Sequence, residues 1–319
     1  MYSWDSDTSG WYGGGRYAYG SKGAEERDEA ARRAALSGGR SYDRRGGPVE
    51  AMIDPKKRVR SASKNPLVVA VDVTGSMSNW PFEIFDRLPL LYNTLAQYRE
   101  DLEILFAALG DAGVDRWPLQ VTSFAKGYDL EQQLGSLWGE GGGGDAPESY
   151  GLFAHWLSTH VEIPSAEDPP FLIVFGDAPM HETVPKDQIR RFLGDSAKDV
   201  DAVGAWQNLG RQWNTWFLRR PTGKKGDEVH QQWAKAVGEK KILVIDDEQR
   251  AVDYAMGIVA RAWGHFEDFK NNMRARQPED KVEELSAPIA MMCPRCGGPI
   301  PTDAVGLFKC GYCGATLKI

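Results

Sequence analysis

The segment Leu67–Ser78, with the sequence LVVAVDVTGSMS, constrains the fold of this chain more than any other. Its first five residues are all apolar, without the polar alternation of a strand that faces water on one side. Such a run is typical of a strand buried on both faces, as in a parallel sheet covered by helices. Directly after it come Asp72, Thr74 and Ser76, at every second position. In a tight loop, these oxygen-bearing side chains can converge on one point, and hard oxygen donors suit Mg²⁺ or Mn²⁺.

Two later segments repeat the pattern of an acidic residue placed beside a loop. Gly141–Ser149, with the sequence GGGGDAPES, carries Glu148 after a run of glycines. Phe171–Glu182, with the sequence FLIVFGDAPMHE, is a second apolar run and ends in Asp177. Each segment alone has an ordinary explanation, because Asp and Ser cap helices and Pro and Glu are common in a first helical turn. The three together favour a single site.

The three segments resemble the metal-ion-dependent adhesion site of von Willebrand factor A (vWA) domains. Asp72-Val-Thr-Gly-Ser matches the first element of that site, and Asp177-Ala-Pro matches its closing aspartate. The second loop lacks the threonine that is usual in the family. Instead, the run from Asp145 to Glu148 resembles the integrin β-subunit version, in which the Glu supplies the metal oxygen.

The resemblance implies an α/β fold, in which a Rossmann-like vWA domain has a central, mostly parallel sheet flanked by helices. It also implies a bound Mg²⁺ or Mn²⁺ with these ligands: Asp72, Thr74, Ser76, Glu148 and Asp177. We interpret His181 as a packing or loop hydrogen-bonding residue rather than as a ligand.

The four cysteines predict a second metal site near the end of the chain. They form two C-x-x-C pairs, Cys293/Cys296 and Cys310/Cys313, separated by thirteen residues. Two such pairs at this spacing are a strong signal for a tetrahedral zinc site. The segment 288–319 resembles a zinc ribbon, and a redox role for two matched pairs is the weaker alternative. No cysteine is left for disulfides elsewhere, which is typical of a reducing compartment.

The remaining sequence predicts the domain organisation. Residues 1–64 are expected to be a disordered tail, rich in Gly, Tyr and Arg, with a basic linker over 56–60. Residues 24–37 have the composition of a short helix that a partner could induce, but a solvated tail is favoured because they lack an apolar face. Residues 65–264 form the vWA domain, and residues 265–287 are predicted to be a helical linker. Within the domain, an insertion at about 185–238 is predicted to be helical because these apolar residues recur at helical spacing: Trp206, Leu209, Trp213, Trp216 and Phe217.

Charge is unevenly distributed along the chain. Residues 1–64 carry +4 and residues 288–319 carry +2, so the net charge of −7 leaves −13 on the segment between them. An acidic central domain argues against a broad nucleic-acid surface there. The sequence has no apolar run of transmembrane length, and its first residues do not form a signal peptide. We therefore expect a soluble, cytoplasmic protein with no membrane partner.

The function that the resemblance implies is recognition rather than catalysis. A metal ion with an open coordination position would capture an Asp or Glu of a partner protein, so we expect a non-enzymatic adaptor or scaffold. The family also implies AAA+ ATPases as one partner class. A nucleic-acid-associated scaffold that uses the zinc ribbon is an alternative. A less favoured one is a Mg²⁺-dependent phosphotransferase of the haloacid dehalogenase type, with Asp72 as nucleophile and Glu182 and Lys186 in supporting roles.

Overall fold

The computed structural model describes residues 49–318 except 141, 143–146, 197, 224–225, 302–303 and 305. The strands are β1 (Val59–Arg60), β2 (Pro66–Asp72), β3 (Glu103–Leu109), β4 (Leu119–Val121), β5 (Val161–Glu162), β6 (Phe171–Gly176), β7 (Thr183–Val184), β8 (Val200–Asp201), β9 (Asn214–Arg219), β10 (Ile242–Val244), β11 (Leu307–Lys309) and β12 (Thr316–Lys318). The helices are α1 (Glu50–Ile53), α2 (Trp80–Ala96), α3 (Asp129–Leu134), α4 (Tyr150–His160), α5 (Lys186–Leu193), α6 (Ala202–Leu209), α7 (Gly226–Val237), α8 (Ala251–Ala262), α9 (Phe266–Arg274) and α10 (Glu279–Ala290). The stretch 24–37, with its helix-like composition, lies outside the described residues.

A six-stranded sheet in the order β10-β9-β6-β2-β3-β4 forms the centre of the fold. All neighbouring strands are parallel except β4, which runs antiparallel to β3. Every residue of β2 is buried. Leu67, Val69 and Val71 pack on one side of the sheet, and Val68 and Ala70 pack on the other. The prediction of a mostly parallel sheet flanked by helices is confirmed.

Two helical layers cover the sheet. Helices α2, α8, α9 and α10 contribute to the core on one face, and α4, α5, α6 and α7 contribute to the core on the other. The second core is rich in aromatic rings, and Trp233 stacks on Phe217 with 3.8 Å between ring centroids. Each such ring removes on the order of 150–250 Å² from water. Within the described chain, no helix has both the length and the apolar character needed to cross a bilayer.

The prediction that residues 185–238 are a helical insertion is wrong for residues 214–219. These residues form β9, a strand of the central sheet between β6 and β10. Trp216 and Leu218 pack on one face of the sheet, and Phe217 packs on the opposite face. This alternation has a period of two. A short apolar run fits a strand and a helix almost equally well when its neighbours also carry aromatic residues.

Residues 265–287 are not a free linker. They contain α9 and most of α10, whose side chains Phe269, Met273, Leu285 and Ile289 belong to the same core as one face of the sheet. On the outer side of this stretch Arg274 pairs with Glu279 at 2.9 Å, whereas the side chain of Arg276 is buried and lies 3.6 Å from Asp253 Oδ1. The stretch is amphipathic and completes the first helical layer.

The basic segment before β2 is ordered, so the prediction of disorder is wrong for residues 49–64. Strand β1 pairs in parallel with β5, with Val59 opposite Val161. The loop that follows β1 is fixed by Asp101, which accepts hydrogen bonds from the backbone N of Lys64 at 2.7 Å and from Asn65 Nδ2 at 2.8 Å. Backbone pairing with β5 therefore orders a segment whose composition suggested a solvated spacer. Residues 1–48 lie outside the described chain.

Candidate functional site: an acidic cluster at the carboxyl edge of the sheet

Three distant segments meet at the carboxyl edge of the central sheet. Asp72 is the last residue of β2, and Asp177 directly follows the adjacent parallel strand β6. Glu148 is brought to the same edge by backbone hydrogen bonds: its N donates to the carbonyl of Pro179 at 2.9 Å, and His181 N donates to its carbonyl at 3.2 Å. The side chains that were predicted to form one site therefore come from strand ends and a loop that the fold places side by side.

Hydroxyl groups link the first and third segments. Thr74 Oγ1 donates to Asp72 Oδ1 at 2.6 Å, and Ser76 Oγ donates to Asp177 Oδ1 at 2.8 Å. The two hydroxyl oxygens are 3.1 Å apart. Only Ser76 among these residues is exposed. The acid site, defined as Asp72, Thr74, Ser76, Glu148 and Asp177, is therefore a buried cluster that opens to solvent beside Ser76.

Burial and neighbouring charges raise the pKa values of two carboxyl groups of the acid site. Burial, followed by the charges of Asp72 and other nearby aspartates, raises the pKa of Glu148 to about 9. Its Oε2 atom is buried and has no hydrogen-bond partner among the described residues. Burial and the charge of Asp177 raise the pKa of Asp72 to about 7, although hydrogen bonds from Thr74 and Tyr150 act in the opposite direction. Both groups therefore resist ionisation, and an added cation would favour their charged forms.

Tyr150 is a functional neighbour that sequence reasoning missed. Its hydroxyl donates to Asp72 Oδ2. Burial and the adjacent carboxylates raise the pKa of Tyr150 well above its ordinary value, so its hydroxyl remains a donor. Gly176 leaves room for this contact, since a Cβ atom there would lie 2.2 Å from the Tyr150 oxygen. In the sequence, Tyr150 resembles any aromatic residue at the start of a core helix.

Arg220 was also missed. Its Nη1 atom donates to Asp177 Oδ2 at 3.0 Å and to the carbonyl oxygen of Ser76. Its side chain is 30% exposed, whereas that of Asp177 is only 1% exposed. No motif identifies this arginine, because it follows a strand that was predicted as helix. The guanidinium lies on the open side of the acid site.

A second layer of polar contacts supports the Glu148 segment. His181 Nε2 lies 2.9 Å from Asp111 Oδ1, which also accepts a hydrogen bond from Ser149 Oγ at 3.2 Å. The expectation that His181 makes loop hydrogen bonds is confirmed. Asp145 and Ala146, which carried part of the resemblance, lie outside the described residues. Pro147 and Glu148 lie inside them.

The four cysteines form a compact cluster. The Sγ atoms of Cys293 and Cys313 are 3.8 Å apart, those of Cys296 and Cys310 are 3.7 Å apart, and all four lie within 4.8 Å of one another. In the part of the chain that the structure describes, no other group of three or more His, Cys, Asp and Glu side chains is so tight. The ligand atoms of Asp72, Glu148 and Asp177 are thus not all within 4.8 Å of one another, and the Thr74 and Ser76 hydroxyls lie between Asp72 and Asp177. The cysteine cluster has the donors and the spacing to hold a zinc ion.

The cysteine lobe, residues 291–318, is attached to the amino edge of the sheet. Lys241 Nζ donates to Asn214 Oδ1 at 2.6 Å and to the carbonyl of Arg295 at 2.7 Å. Burial lowers the pKa of Lys241 to about 8, although the nearby cysteines act in the opposite direction. Gly297 has φ of +69°, and a Cβ atom there would lie 1.9 Å from the carbonyl oxygen of Lys240. Glycine is therefore required where the lobe touches the domain.

No family model matches the chain, and no curated protein matches its sequence. Among solved structures, proximal thread matrix protein 1 from the mussel byssus is similar with a TM-score of 0.45 and 10% identity, over 66% of this chain and 49% of that chain. The pilus adhesin SpaC from Lactobacillus rhamnosus GG, in its open conformation, has a TM-score of 0.45 and 12% identity, over 67% of this chain and 31% of that chain. The chain thus spans less than half the length of these two proteins.

Proposed function

We propose that residues 65–264 form a vWA domain whose acid site binds Mg²⁺ or Mn²⁺ and captures a carboxylate of a partner protein. One observation carries this proposal: a buried carboxyl oxygen, Glu148 Oε2, has no partner among the described residues, while the charges of Asp72 and Asp177 act on the same carboxyl group. Ionising a buried carboxyl group without a partner is costly, and a bound cation would offset that cost.

The donor set fits a hard divalent cation. Asp72, Thr74, Ser76, Glu148 and Asp177 would hold the ion with carboxylate and hydroxyl oxygens, the ligands that Mg²⁺ and Mn²⁺ prefer. The bound ion would supply positive charge at the open side of the site. Tyr150 orients Asp72 by donating to its second oxygen, which leaves the first oxygen for Thr74. This division of hydrogen bonds fixes the orientation of the Asp72 carboxyl group.

Binding suits this site better than phosphoryl transfer. The two supporting residues of the phosphotransferase hypothesis, Glu182 and Lys186, are exposed, whereas Asp72 is fully buried. The cation paired with the acid site is Arg220. The proposed role is therefore a scaffold that holds a partner through an Asp or Glu side chain, and the resemblance makes an AAA+ ATPase one candidate partner.

A calorimetric titration with Mg²⁺ tests the metal site directly. Asp72→Asn should abolish Mg²⁺ binding because it removes a charge from the acid site. Asp101→Asn is the matched control, since Asp101 also accepts backbone and side-chain hydrogen bonds but lies near the start of β3, at the other edge of the sheet. The control should bind Mg²⁺ like the wild type. Equal binding by all three proteins contradicts the proposal.

Affinity capture extends the test to the partner. We expect a partner that is captured by the wild type in Mg²⁺ and lost in EDTA or with Asp72→Asn. Recovery of the same proteins in every condition would show that the acid site is not the recognition element.

A further inference from the structure

Arg220 is placed by the backbone at the open side of the acid site. It follows β9 directly, and its backbone N donates to the carbonyl of Gly176, the last residue of β6, at 3.0 Å. Since Asp177 follows Gly176, the two side chains emerge next to each other. The position of Arg220 is thus set by strand register rather than by a long surface loop.

The guanidinium is anchored through one nitrogen only. Nη1 donates both to Asp177 Oδ2, at 3.0 Å, and to the carbonyl of Ser76. Within the described part of the chain, Nε and Nη2 have no hydrogen-bond partner. With a side chain that is 30% exposed, Arg220 holds a fixed position and still offers donors to an arriving molecule.

A carboxylate has two oxygens, and a single metal coordination position takes one of them. The second oxygen needs a donor close to the ion. An arginine fork supplies such donors in the plane that a carboxylate requires, and charge-assisted hydrogen bonds of this kind are stronger than neutral ones.

We propose that Arg220 is a specificity-determining residue of the acid site: Nη1 stays on Asp177 while the free donors bind the second oxygen of the partner's carboxylate. This inference rests on the proposed metal-dependent function. It defines the ligand class as a planar carboxylate, one oxygen of which Arg220 would bind beside the proposed cation.

The positive charge of Arg220 has an opposite effect on the metal. Like charges repel, so a guanidinium on Asp177 weakens the attraction of the site for a cation. Removing the charge should therefore tighten metal binding and weaken carboxylate binding. General damage to the fold would weaken both, so the opposite signs separate a specific role from a structural one.

Water-proton relaxation of the Mn²⁺-loaded protein measures both affinities, first by titration with Mn²⁺ and then with acetate as the carboxylate probe. For Arg220→Gln, we expect Mn²⁺ binding at least as tight as in the wild type. Acetate should bind about tenfold more weakly, the loss of one charge-assisted hydrogen bond. Arg220→Lys keeps the charge without the fork and should also lose acetate affinity. Arg211→Gln, a change at an exposed arginine, is the matched control and should leave both affinities unchanged.

The two titrations distinguish failure of this inference from failure of the proposed function. If the wild type binds Mn²⁺ no better than Asp72→Asn, the metal site is absent and both ideas are overturned before acetate is added. If Mn²⁺ binds but acetate affinity is equal in the wild type and Arg220→Gln, only the role of Arg220 is overturned. Weaker binding of both Mn²⁺ and acetate by Arg220→Gln also overturns it.

Discussion

Replacing Glu148 with glutamine should stabilise the metal-free protein, and the gain should grow with pH. The pKa of Glu148 is raised from 4.5 to about 9, first by burial and then by neighbouring aspartates. Above pH 4.5, the unfolded chain releases this proton and the folded chain keeps it, so stability falls as pH rises towards 9. At pH 7.5, three pH units above 4.5, the raised pKa lowers the free energy of unfolding by about 4 kcal/mol, which is the penalty for burying Glu148. At pH 5.0 it is below about 1 kcal/mol.

Glutamine has nearly the same shape but no charge to lose. A buried amide without partners costs about 1–3 kcal/mol, so the absolute gain at pH 7.5 will be smaller than the full penalty. The cost of the amide is the same at both pH values, so the pH dependence is the better test. The difference in free energy of unfolding between Glu148→Gln and the wild type should change by about 3 kcal/mol between pH 5.0 and 7.5.

Urea unfolding in EDTA at the two pH values measures this change. Exposed Glu131→Gln is the control and should show no pH-dependent difference from the wild type. Saturating Mg²⁺ should stabilise the wild type and not Glu148→Gln, which reverses their order. A variant that is equally destabilised at both pH values would show that Glu148 is not a desolvated carboxyl group, and would refute the argument.

Three other substitutions test the packing and the two sites. Gly176→Ala places a Cβ atom against the Tyr150 hydroxyl, so we expect thermal unfolding to show a free energy of unfolding lower by about 1–3 kcal/mol. Calorimetry should also show weaker Mg²⁺ binding. Gly223→Ala, where a Cβ atom enters open space, should change neither quantity. Trp233→Ala should cost about 3–5 kcal/mol in urea unfolding, because it empties the centre of a fully buried aromatic cluster. Cys296→Ser should abolish zinc binding, measured as metal per chain by elemental analysis, and should leave Mg²⁺ affinity unchanged.

The parts of the fold that were predictable are those in which local pattern and tertiary position agree. Strands β2 and β6 are continuous apolar runs because both faces of the sheet are covered, and each run is followed by an aspartate. Neighbouring parallel strands end at the same edge of the sheet, so the sequence alone predicts that Asp72 and Asp177 lie close together. The cysteine cluster was predictable for a different reason: metal geometry limits ligand spacing more tightly than packing limits apolar residues.

The parts that were not predictable depend on pairing between distant segments. Trp216 and Phe217 satisfy helical and strand periods alike, and only their neighbours β6 and β10 decide between the two. Arg220 acquires its role from the register between β9 and β6, which no local pattern encodes. Tyr150 contacts Asp72 across 78 positions of sequence. Residues 49–64 are ordered by the same kind of long-range pairing, with β5.

Strand β9 runs between the cysteine lobe and the acid site. Its first residue, Asn214, contacts Lys241 and the cysteine lobe, and the residue after its last one is Arg220 of the acid site. Six residues of strand span about 20 Å. The cysteine lobe and the acid site are therefore separated by about the length of one strand, so a molecule bound at one would leave the other accessible.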